Sequence, residues 1–262
     1  MVKTDFRITE WHPKSRYICK SICSVRSKAV ASIAFLSWIK SISNTIKGEV
    51  VAIDGKTLRH SYDAGAGQGA IHMVSAWATE NRLVLGQVKV DDKSNEITAI
   101  PELLKVLSLN GCIVTIDAIG CQREIVKQIT DRGGDYVITL KKNQGGLYKR
   151  VEALFKEALT KDYLGFTFSS NRVSEQAHGR EETRYCMMLS NIQDKIDPEG
   201  KWEELQSIGR QDSMRVVNGK TTIKTRYFIS SLPNNAELLA DSIRDSLGSR
   251  KFPSLGIGCS IP

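Results

Sequence analysis

"VVAIDGKTLRH", residues 50–60, runs through four apolar residues to a carboxylate and then at once to Gly55, Lys56 and Arg59. An apolar run of this length, bounded by Asp-Gly, reads as a buried strand that delivers Asp54 to its end. Taken alone the string has a second reading, a turn in which Asp54 and Gly55 are only punctuation. The segments that follow bear on the choice. "AIHMVSAWA" (70–78) and "RLVLGQVKV" (82–90), separated by the polar "TEN", read as the two arms of a hairpin, so three strands come in succession. "SNEITAIPELLKVLSLNG" (94–111) then reads as a helix, with Ser94 or Asn95 as cap, Pro101 opening its regular part and Gly111 just past its end.

A crossover follows. "CIVTIDA" (112–118) is a second apolar strand ending on an acid, Asp117. "QREIVKQITDRGG" (122–134) is a helix closed by glycines, and "DYVITLKKNQ" (135–144) a strand running into basic and amide residues. "GGLYKRVEALFKEALTKD" (145–162) is helical in pattern, residues 163–232 alternate in shorter strand-like pieces, and a last helix begins at "NNAELLADSIRDSLG" (234–248). Three antiparallel strands followed by α-β-α-β is the order of the ribonuclease H-like fold, in which the first and fourth strands lie side by side and parallel. The expectation is therefore an α/β protein with a ribonuclease H-like mixed sheet and a β-rich insertion before the last helix. Its expected parts are a poorly structured segment 1–34, a core 35–162, the insertion 163–232, the final core helix 233–247 and an aberrant tail 248–262.

Composition bounds the partners. The chain has 262 residues and a formal net charge of +8, with a pI near 9.2, which favours a polyanion, nucleic acid before membrane. Six cysteines form no CxxC pair, a usage expected of reduced thiols in the cytoplasm. No apolar run reaches membrane-spanning length, and the N-terminus lacks the apolar core of a signal peptide, so no membrane partner is expected. "GAGQG" (65–69) lacks the lysine and following helix of a phosphate-binding loop.

On parallel adjacent strands, Asp54 and Asp117 would emerge together at the carboxyl ends, where open α/β sheets place their ligands. Two such carboxylates call for a cation, and hard oxygen donors suit Mg²⁺ or Mn²⁺. A metal pair about 4 Å apart would activate a water or a 3′ hydroxyl against a phosphodiester, but needs a third acid. The alternative is that Asp54 caps a turn and Asp117 caps the "AIG" helix start. Lys56, Arg59, Lys141, Lys142, Asn143 and Gln144 would line the same rim and meet DNA phosphates, or else are solvated surface. His178, Arg180 and Arg184 in "HGREETR" could touch DNA, or Arg180 could pair with Glu181 or Glu182.

"GEVVAIDGKTLRHS", "VDDKSNEITAIPELL", "TIDAIGCQREI", "GDYVITLKKNQ" and "HGREETRY" resemble successive blocks of the H-repeat-associated branch of the DDE insertion-sequence transposases, over residues 35–245. The resemblance implies that Asp54 and Asp117 are the first two members of the DDE triad, with Mg²⁺ or Mn²⁺ as cofactor and double-stranded transposon ends as partner; a homo-oligomer is compatible with it. In that family the last helix runs into an H-W-x-x-E segment that supplies the third carboxylate. Here it runs instead into "SLGSRKFPSLGIGCSIP", with no acid beyond Asp245. One permitted set of codons for this tail, read one nucleotide later, gives HWDRESFHRWVLDVAF, whose glutamate lies across the codons of Arg250 and Lys251. Near the other end, "RYICKSICSVRSKAVASIAF" shifted likewise gives DIFARVFARLDPKQLQALL. The expectation is a frameshifted DDE transposase, defective for want of its third ligand. The alternatives are a catalytically inactive DNA-binding remnant and a metal-dependent nuclease of the same fold.

Overall fold

The computed structural model describes residues 48–57, 72–80, 83–90, 96–177, 180–217 and 219–248. Strands β1 (Val50–Thr57), β2 (His72–Ala78) and β3 (Leu83–Val90) lead into helix α1 (Glu96–Val106). Then come β4 (Ile113–Ile116), α2 (Arg123–Thr130), β5 (Asp135–Leu140) and α3 (Gly145–Thr160). Strands β6 (Thr167–Ala177) and β7 (Arg180–Ser190), the single turn α4 (Gln193–Ile196), β8 (Ser207–Val217), β9 (Lys220–Ser230) and α5 (Ala236–Gly248) complete the order. Among the described residues the nine strands form one mixed sheet in the order β3-β2-β1-β4-β5-β9-β8-β7-β6.

The pairing follows from burial pattern. β4 reads Ile-Val-Thr-Ile with every residue buried, as a central parallel strand covered on both faces requires. It runs parallel to β1 on one side and to β5 on the other. β2 alternates buried and half-buried residues and pairs antiparallel with both β1 and β3. The segment expected as short strand pieces is four strands of eleven residues each, and they extend the main sheet through β9, which pairs antiparallel with β5.

Helix α5 covers the centre of one face. Asn235 starts it by accepting the N–H groups of Glu237 and Leu238 on its side-chain oxygen, which satisfies two of the donors a helix start leaves open. Leu239 and Ile243 then pack in one apolar cluster with Val50 of β1, Ile113 of β4, Val137 of β5 and Phe228 of β9. The approach is close: a Cβ at Gly209 would lie 2.7 Å from Leu239 Cδ2. Gly209→Ala is expected to cost about 1–3 kcal/mol through overpacking, read as a lowered urea midpoint at unchanged slope.

Two expectations need correction. Pro101 does not open α1; it is inside the helix, sixth from its start. Its missing N–H leaves the Ile97 carbonyl without a helical donor, and burial of Ala99, Ile100, Leu103 and Leu104 outweighs that loss. Nor does β1 stop at Asp54. It continues through Gly55 and Lys56 to Thr57 as the antiparallel partner of β2, so Asp54-Gly55 is not a turn. The expected segment 1–34, the Gly-rich 65–69, Ser94, Asn95 and the tail beyond Gly248 lie outside the described residues. Among the described residues no helix is long and apolar enough to cross a membrane.

Candidate functional site

The parallel ladder between β1 and β4 ends at the pair Ile53 and Ile116. Asp54 and Asp117 are the next residue on each strand. Strand alternation puts them on the α5 face, since Val50, Ala52 and Asp54 share one side of β1 and Ile113, Thr115 and Asp117 one side of β4. Both acids are half-buried, and both line a cleft of about 490 Å³ together with Thr115, Lys141, Tyr148, Arg226 and Ile243. They also line a second cleft, with Glu96, Lys141, Lys142 and Asn143.

Each acid has a cationic neighbour. Asp117 accepts a hydrogen bond from Lys141 Nζ at 3.2 Å on Oδ2, while its Oδ1 accepts the Ala118 N–H at 2.8 Å. Asp54 Oδ2 lies 3.9 Å from Lys56 Nζ. The capping alternative for Asp117 is thus realised on one oxygen, at the start of the 3₁₀ turn Ala118–Gly120, without using up the carboxylate.

The basic and amide candidates divide. Asn143 Nδ2 donates to the Ala118 carbonyl at 2.8 Å and Gln144 Nε2 to the Cys121 carbonyl at 2.7 Å. These amides brace the turn that carries Asp117. Lys141 sits on the acid itself, and Lys142 is exposed with no ion pair among the described residues. Arg59 and His178 lie outside the described residues; Arg184 is engaged by Glu175 and Glu182.

Three groups escaped the sequence reading. The Glu96 carboxylate, at the start of α1, occupies the space a Cβ would take at Gly55, directly beside Asp54 in the chain. A glycine at 55 permits that approach, and only the helix start after β3 hinted at it. Thr115 is buried, and among the described residues its hydroxyl has no hydrogen-bond partner although it lines the cleft. Arg226, in "TRYFISSL", enters the cleft from β9. Among the described residues no group of three or more His, Cys, Asp or Glu side chains is placed to hold a metal ion. Two half-buried carboxylates and an orphaned buried hydroxyl do fit a single hard divalent ion with its waters.

Burial also governs the two thiols that flank β4 and its following turn. The Cys121 thiol, at the end of the braced turn, is pushed up to about 12, and burial with the charge of Glu49 pushes Cys112 up to about 11, from an ordinary 9.0. Both groups hold their protons longer folded than unfolded. Their contribution to stability is therefore complete below pH 9 and is lost as pH rises through about 11 to 12. Urea midpoints are expected to be flat in this contribution from pH 7 to 8.5 and to fall above pH 9, with Cys112 and Cys121 unlabelled by iodoacetamide at pH 8 until the chain unfolds.

Residues 46–207 match the family model described as "Transposase DDE domain". The "H repeat-associated putative transposase YhhI" of Escherichia coli K12 is 40% identical over 228 residues, 86% of this chain and 60% of that protein. The "Putative transposase YncI" of the same strain is 44% identical over 180 residues, 69% of this chain and 71% of that one. Its counterpart in Escherichia coli O157:H7 is 40% identical over 235 residues, 88% of this chain and 59% of its own length. The chain thus spans about 60% of the length of the longer relatives it matches. Among solved structures, the NurA nuclease from Sulfolobus solfataricus aligns over 88% of this chain and 91% of its own at 10% identity, with a TM-score of 0.28, too low to indicate a common fold.

Proposed function

The chain belongs to the DDE transposases, and from that premise we propose that it is a DNA transposase by descent whose Asp54 and Asp117 hold a divalent ion, Mg²⁺ or Mn²⁺, against the phosphodiester of a transposon end. The observation that carries this reading is the pair of acids, one residue past the end of a parallel ladder, lining the same clefts. The strand order β3-β2-β1-β4-β5 with β1 and β4 parallel supports a ribonuclease H-like core over residues 35–162. Residues 163–232 are its β-rich insertion, and α5 (Ala236–Gly248) is its last helix.

A bound divalent ion would neutralise the phosphodiester and lower the pKa of a water or 3′ hydroxyl beside it. The remaining roles belong to the chain. The Ala118 N–H fixes one oxygen of Asp117, and Asn143 and Gln144 fix the turn that supplies that N–H. Lys56 and Lys141 neutralise the two acids at rest and, being on long exposed stems, reach phosphate when the acids are otherwise engaged. The fold brings Ile243 of α5 into the cleft that the two acids line. Residues 246–262 hold no acid, and no third ligand joins the pair among the described residues. Those two facts favour a second reading, a cytoplasmic remnant that binds double-stranded DNA and metal weakly without cleaving.

The test is Mn²⁺ binding followed by water-proton relaxation. The chain is expected to bind a Mn²⁺ ion weakly, and the double variant Asp54→Asn/Asp117→Asn to bind none above background. Equal relaxation enhancement in both proteins would remove the two acids from the site.

A further inference from the structure

We propose that the outer half of β9, Lys220 to Arg226, is a DNA-holding arm that continues the candidate cleft and grips duplex flanking the position of Asp54 and Asp117. This rests on the reading of the chain as a DNA-acting protein and names residues that no motif singled out.

The arm follows from register. β5 and β9 pair only from Val137 with Ser230 to Leu140 with Tyr227. Past Tyr227 the β5 side of β9 is an open edge among the described residues, while its other side stays paired with β8 as far as Lys220 with Val217. Residues 220–225 are exposed on both faces. On the face shared with Phe228, and therefore with α5 and the two acids, β9 carries Arg226, Lys224 and Lys220. Arg226 is the residue next to Lys141 in that register and itself lines the cleft.

Charge on this face is unbalanced in one place. The acids on the same face of β6, β7 and β8 are Glu175 and Glu182, and both are taken: Arg184 lies 3.3 Å from Glu175 and 2.9 Å from Glu182, and Arg215 lies 3.3 Å from Glu182. Asp212 is on the opposite face, paired with Arg210. Among the described residues no carboxylate pairs with Lys220, Lys224 or Arg226.

The spacing suits a phosphate backbone. From Arg226 to Lys220 is about 20 Å of extended strand, the length over which one DNA strand presents about six phosphates. From Asp54 across β4 and β5 to Arg226 is three strand spacings, about 14 Å, so arm and acids fall within a little over one turn of duplex. An edge strand bearing lysines is poorly suited to pairing with a strand of a second copy, because each added strand must desolvate those charges. Duplex DNA is the occupant with the matching charge.

The experiment measures anisotropy of a fluorescein-labelled 30-base-pair duplex with the full chain, without metal, from 50 to 300 mM KCl. Lys220→Gln/Lys224→Gln/Arg226→Gln is compared with a charge-matched control, Lys156→Gln/Lys161→Gln/Lys201→Gln, whose lysines pair with neighbouring acids elsewhere on the surface. The arm variant is expected to lose about 2.7 from the slope of log K against log salt and roughly 10²-fold in affinity at 100 mM, with the control within about threefold of the unaltered chain. The three single arm variants should each lower the slope by about 0.9, which reads the same result if the triple variant does not fold. Equal binding by arm and control variants overturns the arm while leaving the DNA reading intact. No binding by the unaltered chain at 50 mM sinks that reading and the arm with it. A change of mass in light scattering, with DNA binding unaltered, would assign the edge to self-association instead.

Discussion

Replacing the residues after Asp245 by the segment read one nucleotide later is expected to raise Mn²⁺-dependent cleavage of inverted-repeat DNA by at least about 10³-fold. Removing a member of a catalytic unit costs several orders of magnitude, and restoring it should return them. The structural ground is the course of α5, which packs on β1, β4 and β5 and sends Ile243 into the cleft. A helix continuing from there would carry the restored glutamate, seven residues after Ile243 and about two turns further along the same face, toward Asp54 and Asp117. In the present sequence Gly248 is the last residue of α5, and Pro253, Gly256 and Gly258 stand where that helix would continue. Asp241 is no substitute, since it lies two residues before Ile243 and pairs with Arg244 on the helix surface. The check is a gel assay of strand cleavage with both proteins at equal concentration. Equal rates would show that the tail glutamate is not needed and would remove the ground for calling the site broken.

Within the restored chain, Asp117→Asn is expected to abolish cleavage, by at least about 10³-fold, at little cost in stability. This variant separates the two things Asp117 does. An asparagine keeps a side-chain oxygen for the Ala118 N–H, so the 3₁₀ turn remains capped, and the change in stability should stay within about 0.5 kcal/mol. It removes the negative charge that faces Lys141 and that a divalent ion would need. Asp117→Ala loses both and should cost about 0.5–2 kcal/mol as well as activity. Urea denaturation and the cleavage assay on the two variants give the comparison. If Asp117→Asn cleaves like its parent, Asp117 is a cap and nothing more.

Much of this was legible one residue at a time. The strand order through β5, the two acids, the crossover helices and a β-rich segment before α5 all follow from local period and punctuation, because a buried strand or an amphipathic helix writes its burial into consecutive residues. The braces were less legible. Asn143 and Gln144 have the chemistry of phosphate contacts, and in the fold their amides are spent on the Ala118 and Cys121 carbonyls, more than twenty residues away. A polar side chain at a sheet rim gives no sign of which distant carbonyl will claim it.

The sequence by itself determined which strands could be central, since the runs of β1, β4 and β5 are apolar at both alternating positions and so can be covered on both faces, and it determined that the apolar runs of β1 and β4 each lead into an acid. Tertiary structure alone decided that β1 runs past Asp54 to Thr57, because its second partner, β2, continues the ladder after β4 has ended. It also decided that Glu96 settles over Gly55 and that Thr225 and Arg226 of β9, past the end of its pairing with β5, line the cleft. The physical reason is the same in each case: periodicity records how a residue alternates between faces, whereas what lies opposite it is set by the register between segments far apart in the chain.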